Sequence, residues 1–517
     1  MHGAEVLLLL VSSLAVTTLA RRLNWSAPLL LVAIGLAISY VPGIPAFELD
    51  PQLILVLILP PLLYSAALDS SYLNIKANIR PIGLLSVGLV LATTVVVGLV
   101  AHMVMPQLSL AAALVLGAVV APPDAVAAVS IGRRLGLPRR SMTVLAGESL
   151  ANDASALTAY KVAVAAATGT ASISFGSSVV TFLISALGGI AIGYVLGVVV
   201  HAIRMRIGDG VLESALGMLV PFGTYLLAEE TVHASGVLAV VVAGLYLGHN
   251  APRAGFMTRL QETAVWRSVD VLLESLVFAL IGLQLKSVIA GDVTWKIVLG
   301  AAIVLVVTIL MRFAWVFPGT YLPRLVPRVR SREPDPGWRS VVVIGWAGMR
   351  GVVSLAAASA IPHEMPGRDV VIFCTFVVTV GTLLSQGLSL PWVIRKLGVR
   401  GDEQQSDALA EAQVQHRAAE ASITRLDEEL AANTAPEHII ERLRGVAEMR
   451  GNAAWERLGR QERESPAAAH RRLRRVMLDA EREVFVAARD AREIDDDVLR
   501  RVLRELDLEE AKLSREE

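Results

Sequence analysis

Thirteen long apolar runs constrain this chain more than any other feature, with centres near Leu10, Val32, Leu59, Leu91, Val119, Ala154, Gly189, Leu219, Val241, Phe278, Val306, Gly351 and Val380. Runs of roughly 17–25 residues match what a helix needs to cross a hydrocarbon layer about 30 Å thick. Lipid offers backbone amides no partner, so each run must satisfy its own hydrogen bonds, and a helix does that. The expected fold is therefore an all-α membrane protein of about 13 transmembrane helices. The fifth, sixth and twelfth runs are the least purely apolar. The opening "EVLLLLVSSLAVTTLARRL" reads as the first span rather than a secretory signal, because its arginines follow the apolar stretch and no small-residue cleavage site stands out.

The loops carry charge in strict alternation. Arg21 and Arg22 follow the first run, Lys76 and Arg80 the third, and Arg133, Arg134, Arg139 and Arg140 the fifth. Arg204 and Arg206 follow the seventh, Arg253, Arg259 and Arg267 the ninth, Arg324, Arg328, Arg330, Arg332 and Arg339 the eleventh, and Arg395, Lys396 and Arg400 the last. The intervening loops, such as "PGIPAFELDP", "MPQLS" and "ATGTASIS", are nearly free of basic residues. Basic loops stay in the cytoplasm, so the N-terminus is expected outside and the C-terminus inside a cell membrane.

The formal net charge of zero conceals two parts. Residues from Gly401 onward hold 28 Asp and Glu against 20 Lys and Arg, which leaves 19 acidic and 27 basic residues in the first 400. The division expected is a membrane domain over residues 1–400 and a charged, helical, cytosolic domain over 401–517. Charge runs of the second kind are usually solvated helix faces, and here they suit a regulatory appendage. The single cysteine, Cys374, excludes an intrachain disulfide.

Two spans are interrupted. In the fifth, "VVAPPDAVAAV" places Pro122 and Pro123 where two backbone donors are lost and the preceding residues are restricted. In the twelfth, "IGWAGMRGVVSLAAA" surrounds Arg350 with Gly345, Gly348 and Gly351. The two lie seven spans apart, so they run in opposite directions and suit an inverted repeat of spans one to six and eight to thirteen. Broken helices at matching places of such a repeat point to a transporter's midplane site.

The sixth run adds charge to an apolar setting. Within "GESLANDASALTAYKVAVAA", Glu148 and Asn152 are four residues apart, as are Ser149 and Asp153, so the four share adjoining helix faces. Ionisable groups inside a membrane are costly and mark ion paths or paired sites. Two carboxylates with a hydroxyl and an amide form an oxygen-rich environment, suited to a small hard cation. Asp124, just after the proline break, is a third carboxylate. Arg350 is the expected buried cation, which one of the acids must neutralise.

Together "GESLANDAS", "PPDAV" and "GMRGVVSLAAA" resemble the monovalent cation/proton antiporter family of NhaP-type antiporters and sodium/proton exchangers, over residues from about 5 to 400. "ASGVLAVVVAGL" and "LVFALIGLQL" add to the likeness, and the tail "DDDVLRRVLRELDLEEAKL" resembles those of bacterial members. The resemblance implies that Asp153 alternately holds cation and proton, with Asn152 its neutral neighbour. It implies that Ser149 lends a ligand oxygen, that Asp124 sits beside the site, and that Glu148 forms a structural ion pair with Arg350. It also implies a homodimer, with Na+, Li+ or K+ and H+ as cargo and no resident cofactor. One position departs: many members carry an acid after "PPLLF" or "PPLLY", where "LPPLLYSAAL" has Ser65.

Other readings stand beside these. Asp124 is a cation ligand or a cap for the broken helix's amides. Lys161 is expected to snorkel to the outer interface. Glu213 and Glu274 are interfacial or line a funnel. "GESLA" lacks the second glycine of a nucleophile elbow, which argues against a hydrolase, and no P-loop or dinucleotide fingerprint occurs. A channel needs a continuous polar pore, whereas these polar groups gather in one layer. The expected function is secondary antiport of a monovalent cation, foremost Na+, for H+, with electroneutral 1:1 stoichiometry. The alternatives are a K+/H+ antiporter and an antiporter-like scaffold that senses pH or ions through its tail.

Overall fold

The computed structural model describes residues 3–23, 25–41, 53–169, 175–284, 288, 294–333, 335–401, 403–458, 466–493 and 496–514. The "PGIPAFELDP" loop and most of "ATGTASIS" lie outside them. No strand occurs among the described residues, and the chain divides into two compact units, Met1–Gly401 and Asp402–Glu517.

In the first unit every one of the thirteen expected centres falls on a helix or at a helix break. Among the described residues, five helical stretches are long and apolar enough to cross a membrane by length and composition: Ile79–Val104, Val180–Ile207, Gly210–Thr231, Trp295–Leu325 and Arg368–Leu397. Ala27–Ser39, Ile54–Leu68 and Leu110–Val120 are shorter apolar helices. Arg139–Ala167 and Phe256–Leu283 are long enough to span but carry several charged residues. That interruption of apolarity is the cost of the polar site they help to build.

Both expected interruptions are real breaks. The fifth span is the helix Leu110–Val120, five non-helical residues, and then the helix Val126–Leu135. Ser109 caps its start by accepting from Ala112 N at 3.1 Å. The twelfth is Gly337–Trp346 followed, after residues 347–351, by Val352–Ser359. The two breaks meet, since Asp124 N donates to Met349 O at 2.7 Å. Backbone that leaves a helix inside a membrane must find other partners. Here each break supplies one to the other.

Gly351 makes the meeting possible. A Cβ on it would fall inside the van der Waals shell of the Asp124 carboxylate. The "GMRG" glycines thus serve close approach, and not only helix weakening.

The second unit contains the helices Glu403–Ala432, Glu437–Leu458, Pro466–Asp490 and Asp496–Ser514. Arg444 to Asp427 at 2.7 Å links the first two. Arg474 to Glu509 at 2.8 Å and Arg482 to Glu510 at 2.6 Å link the last two. Exposed pairs of this kind contribute little singly; their number fits a solvated helical unit.

Candidate ion site at the crossing of two broken helices

A cavity of about 500 Å³ reaches the crossing. Its lining runs from the exposed Arg21, Arg133 and Arg134 at helix ends to Asp124, Ser149 and Asp153 beside the breaks. The helix Arg139–Ala167 presents Ser149 and Asp153, one turn apart, to this cavity. Asp153 is 7% exposed, and its carboxylate takes no hydrogen bond or ion pair among the described residues. A buried carboxylate without a partner is normally intolerable, so its position at the end of an open cavity is the central feature of the site.

The neighbours are occupied differently. Asn152 donates from Nδ2 to Pro123 O at 2.6 Å, satisfying a carbonyl freed by the break, while its own Oδ1 is buried without a partner. Ser149 Oγ accepts from Ala125 N at 3.4 Å. Asp124 Oδ1 accepts from Val126 N at 2.9 Å, so this acid caps the second half of the broken helix while also lining the cavity. Ser354, on the other broken span, lines the cavity with a buried hydroxyl that lacks a partner. The sequence motifs therefore converge: Asp124, Ser149, Asn152 and Asp153 gather at one place.

The expected pair of Glu148 with Arg350 is corrected. Glu148 is bound instead by Arg312, with Nη1 to Oε1 at 2.6 Å and Nη2 to Oε2 at 2.8 Å. Arg312 comes from the helix Trp295–Tyr321, and its Nε also donates to Ile344 O at 3.0 Å. The planar guanidinium fork engages both carboxylate oxygens. Gly348 permits this, because a Cβ there would collide with the Arg312 side chain. Arg350 is 1% exposed; its backbone N donates to Thr382 Oγ1 at 2.9 Å, and its Nε and Nη1 have no partner.

Two functional candidates escaped the sequence reading, Arg312 and Asp270. Arg312 was legible as a lone charge within "TILMRFAWVF", the same anomaly that drew attention to Asp153. Ser65, at the position where an acid was missed, donates to Asp270 Oδ2 at 2.6 Å. Asp270 comes from the helix Phe256–Leu283 and lines the cavity with Glu274 one turn on. A carboxylate therefore stands beside Ser65 after all, delivered by a different helix. Glu213 is buried and accepts from Thr258 Oγ1 at 2.7 Å. Lys161 is exposed and pairs with Glu229.

Comparison with known proteins shows the family. Residues 7–396 match the family model described as sodium/hydrogen exchanger, transmembrane. An uncharacterised Na+/H+ exchanger of Mycobacterium tuberculosis is 36% identical, with 99% of this chain and 96% of that protein covered. The Na+/H+ antiporter ApNhaP of Aphanothece halophytica is 32% identical over 82% of this chain and 80% of its own. The solved structure of the sodium proton antiporter MjNhaP1 from Methanocaldococcus jannaschii at pH 8 superimposes with a TM-score of 0.62 at 20% identity, covering 76% of this chain and 98% of that one. That likeness carries the membrane antiporter fold. The chain belongs to the sodium/hydrogen exchanger family.

Proposed function

We propose that this protein exchanges Na+ for H+ one for one across the cell membrane, and that Asp153 holds each ion in turn. The observation that carries the reading is the Asp153 carboxylate, buried and without a protein partner at the end of a cavity. Such a group needs a positive charge, and a cation and a proton satisfy the same oxygens. Binding of one therefore excludes the other. If the helices carrying the site move only when the carboxylate is neutralised, exchange follows without a further coupling device. The likeness to the Na+/H+ antiporter of Aphanothece halophytica supports Na+ as the cation.

The roles of the neighbours follow from their contacts. Ser149 Oγ and the Asp124 carboxylate line the cavity with Asp153 and add hard oxygen ligands of the kind Na+ accepts. Asn152 holds the broken backbone through Pro123 O, so it positions the site and carries no charge of its own. The pair of Glu148 and Arg312 is structural and ties the helix Arg139–Ala167 to Trp295–Tyr321. The cavity's arginine-bearing mouth is assigned to the cytoplasm from the loop charges, together with the C-terminal unit, whose role is regulatory.

Purified protein in vesicles loaded with a pH dye tests this. Added Na+ should drive proton movement in the wild type and none in Asp153→Asn, while both insert and purify equally. Full exchange by the Asp153→Asn protein would overturn the mechanism.

A further inference from the structure

A hydroxyl inside a helix commonly donates to a carbonyl one turn back. Ser214, Ser268, Thr94, Thr308 and Thr375 all do so here, each to the residue four places before it. Ser354 has no such partner. It is the third residue of the helix Val352–Ser359, and residues 347–351 before it are not helical, so the break has removed the usual acceptor. Ser354 is 2% exposed, its Oγ is buried without a partner, and it lines the ion cavity. An unpaired buried hydroxyl is costly, so this one is held ready for something that enters the cavity.

Gly351 relates this hydroxyl to the site. It stands immediately before the helix, and the Asp124 carboxylate fills the place that a Cβ on Gly351 would take. The third residue of a helix lies on the same side as the side chain of its cap residue, the geometry on which a capping box depends. Ser354 therefore lies on the side of the break that Asp124 occupies. Asp124, Ser149 and Asp153 come from the fifth and sixth spans, and Ser354 comes from the twelfth. One carboxylate oxygen satisfies a proton, whereas a hard cation gathers several oxygens around it.

We propose that Ser354 Oγ is a further ligand of the transported cation, contributed by the second broken span. This rests on the exchange at Asp153 proposed above. The bound cation joins the two breaks, with Asp153, Ser149 and Asp124 on one side and Ser354 on the other. Protonation of Asp153 makes no use of Ser354. The hydroxyl therefore sets the affinity for the cation separately from that for the proton.

Ser354→Ala, Ser354→Thr and Asp153→Asn, each in the full chain, test this by two measurements. In detergent, added Na+ should raise the thermal midpoint of the wild type and of Ser354→Thr well above the rise seen in Ser354→Ala. Without Na+ the Ser354→Ala midpoint should not fall, because only an unpaired hydroxyl is lost. In dye-loaded vesicles, Ser354→Ala should raise the KM for Na+ roughly ten-fold, the worth of one such contact, and leave the maximal rate within about two-fold. Ser354→Thr, which keeps the hydroxyl, should hold a KM near that of the wild type. Ser354→Cys, close in size but without a hard oxygen, stands in if Ser354→Ala does not purify. A KM unchanged in Ser354→Ala, a KM raised equally in Ser354→Thr, or a lowered maximal rate at constant KM overturns the assignment. Full exchange by Asp153→Asn would instead overturn the mechanism on which it rests, whatever the Ser354 variants do.

Discussion

Glu148 and Arg312 lock two helices together with a two-point ion pair whose side chains are at most 2% exposed. Removal of one member leaves an uncompensated charge in the core, which costs about 3–5 kcal/mol, whereas exchange of both for apolar groups of similar size is far cheaper. Glu148→Ala and Arg312→Met should each lower the thermal midpoint of the detergent-purified protein sharply. The double variant Glu148→Met with Arg312→Met should recover much of the loss. Arg350→Met should not rescue Glu148→Ala, because Arg350 makes no hydrogen bond to that carboxylate. A rescue by Arg350→Met equal to that by Arg312→Met would restore the pairing rejected above.

Gly351 offers a test of the crossing itself. Overpacking a filled site costs about 1–3 kcal/mol, and here the clash falls on the Asp124 carboxylate beside the ion site. Gly351→Ala should therefore depress Na+-driven proton movement by an order of magnitude or more, beyond any loss of folded protein. Gly223 has open space where its Cβ would stand, so Gly223→Ala is the matched control and should leave exchange unaltered. Equal rates for both variants would mean that the breaks do not approach as closely as described.

Much of this was legible in the chain because membrane burial makes polar residues conspicuous. Pro122 and Pro123 announce the first break, and the glycines around Arg350 announce the second. Asp153 stands out in an apolar helix for the same reason. The partner of Glu148 was not legible, because partnership depends on which helices pack together and neither candidate arginine is near in sequence. Arg350 was favoured for its place within a motif. The decisive factor is that Arg312 can extend past Gly348 and use its whole fork, while the Arg350 guanidinium is left without that geometry. Ser65 teaches the same lesson: the carboxylate beside it, Asp270, comes from another helix, which only three-dimensional proximity reveals.

The C-terminal unit begins at Asp402, and its charge density is foreign to the ion site. Gly401 N donates to Gly136 O at 2.9 Å, so a cut after Gly401 retains the last bond within the membrane unit. The shortened protein should keep cation-dependent proton movement and show a displaced pH profile. Correctly inserted, folded protein without exchange at any pH would make the tail part of the transport machinery rather than its regulator.

The stoichiometry rests on how many carboxylates change their charge during a cycle. Glu148 is held by both terminal nitrogens of the Arg312 fork. Asn152 has none to change. Asp124 is engaged by Val126 N at the start of a helix, and in the 1:1 mechanism it is a fixed part of the site. Under the proposed mechanism Asp153 is the one group that alternates between ions, and a single carboxylate would carry one monovalent cation in one direction and one proton in the other. No net charge then crosses the membrane, and the exchange rate should be indifferent to voltage. A potassium diffusion potential set with valinomycin across proteoliposomes, with Na+ or Li+ as the exchanged ion, measures this directly. A rate that changes steeply with the imposed potential would show that Asp124 also takes up a proton, and that two protons move for each cation.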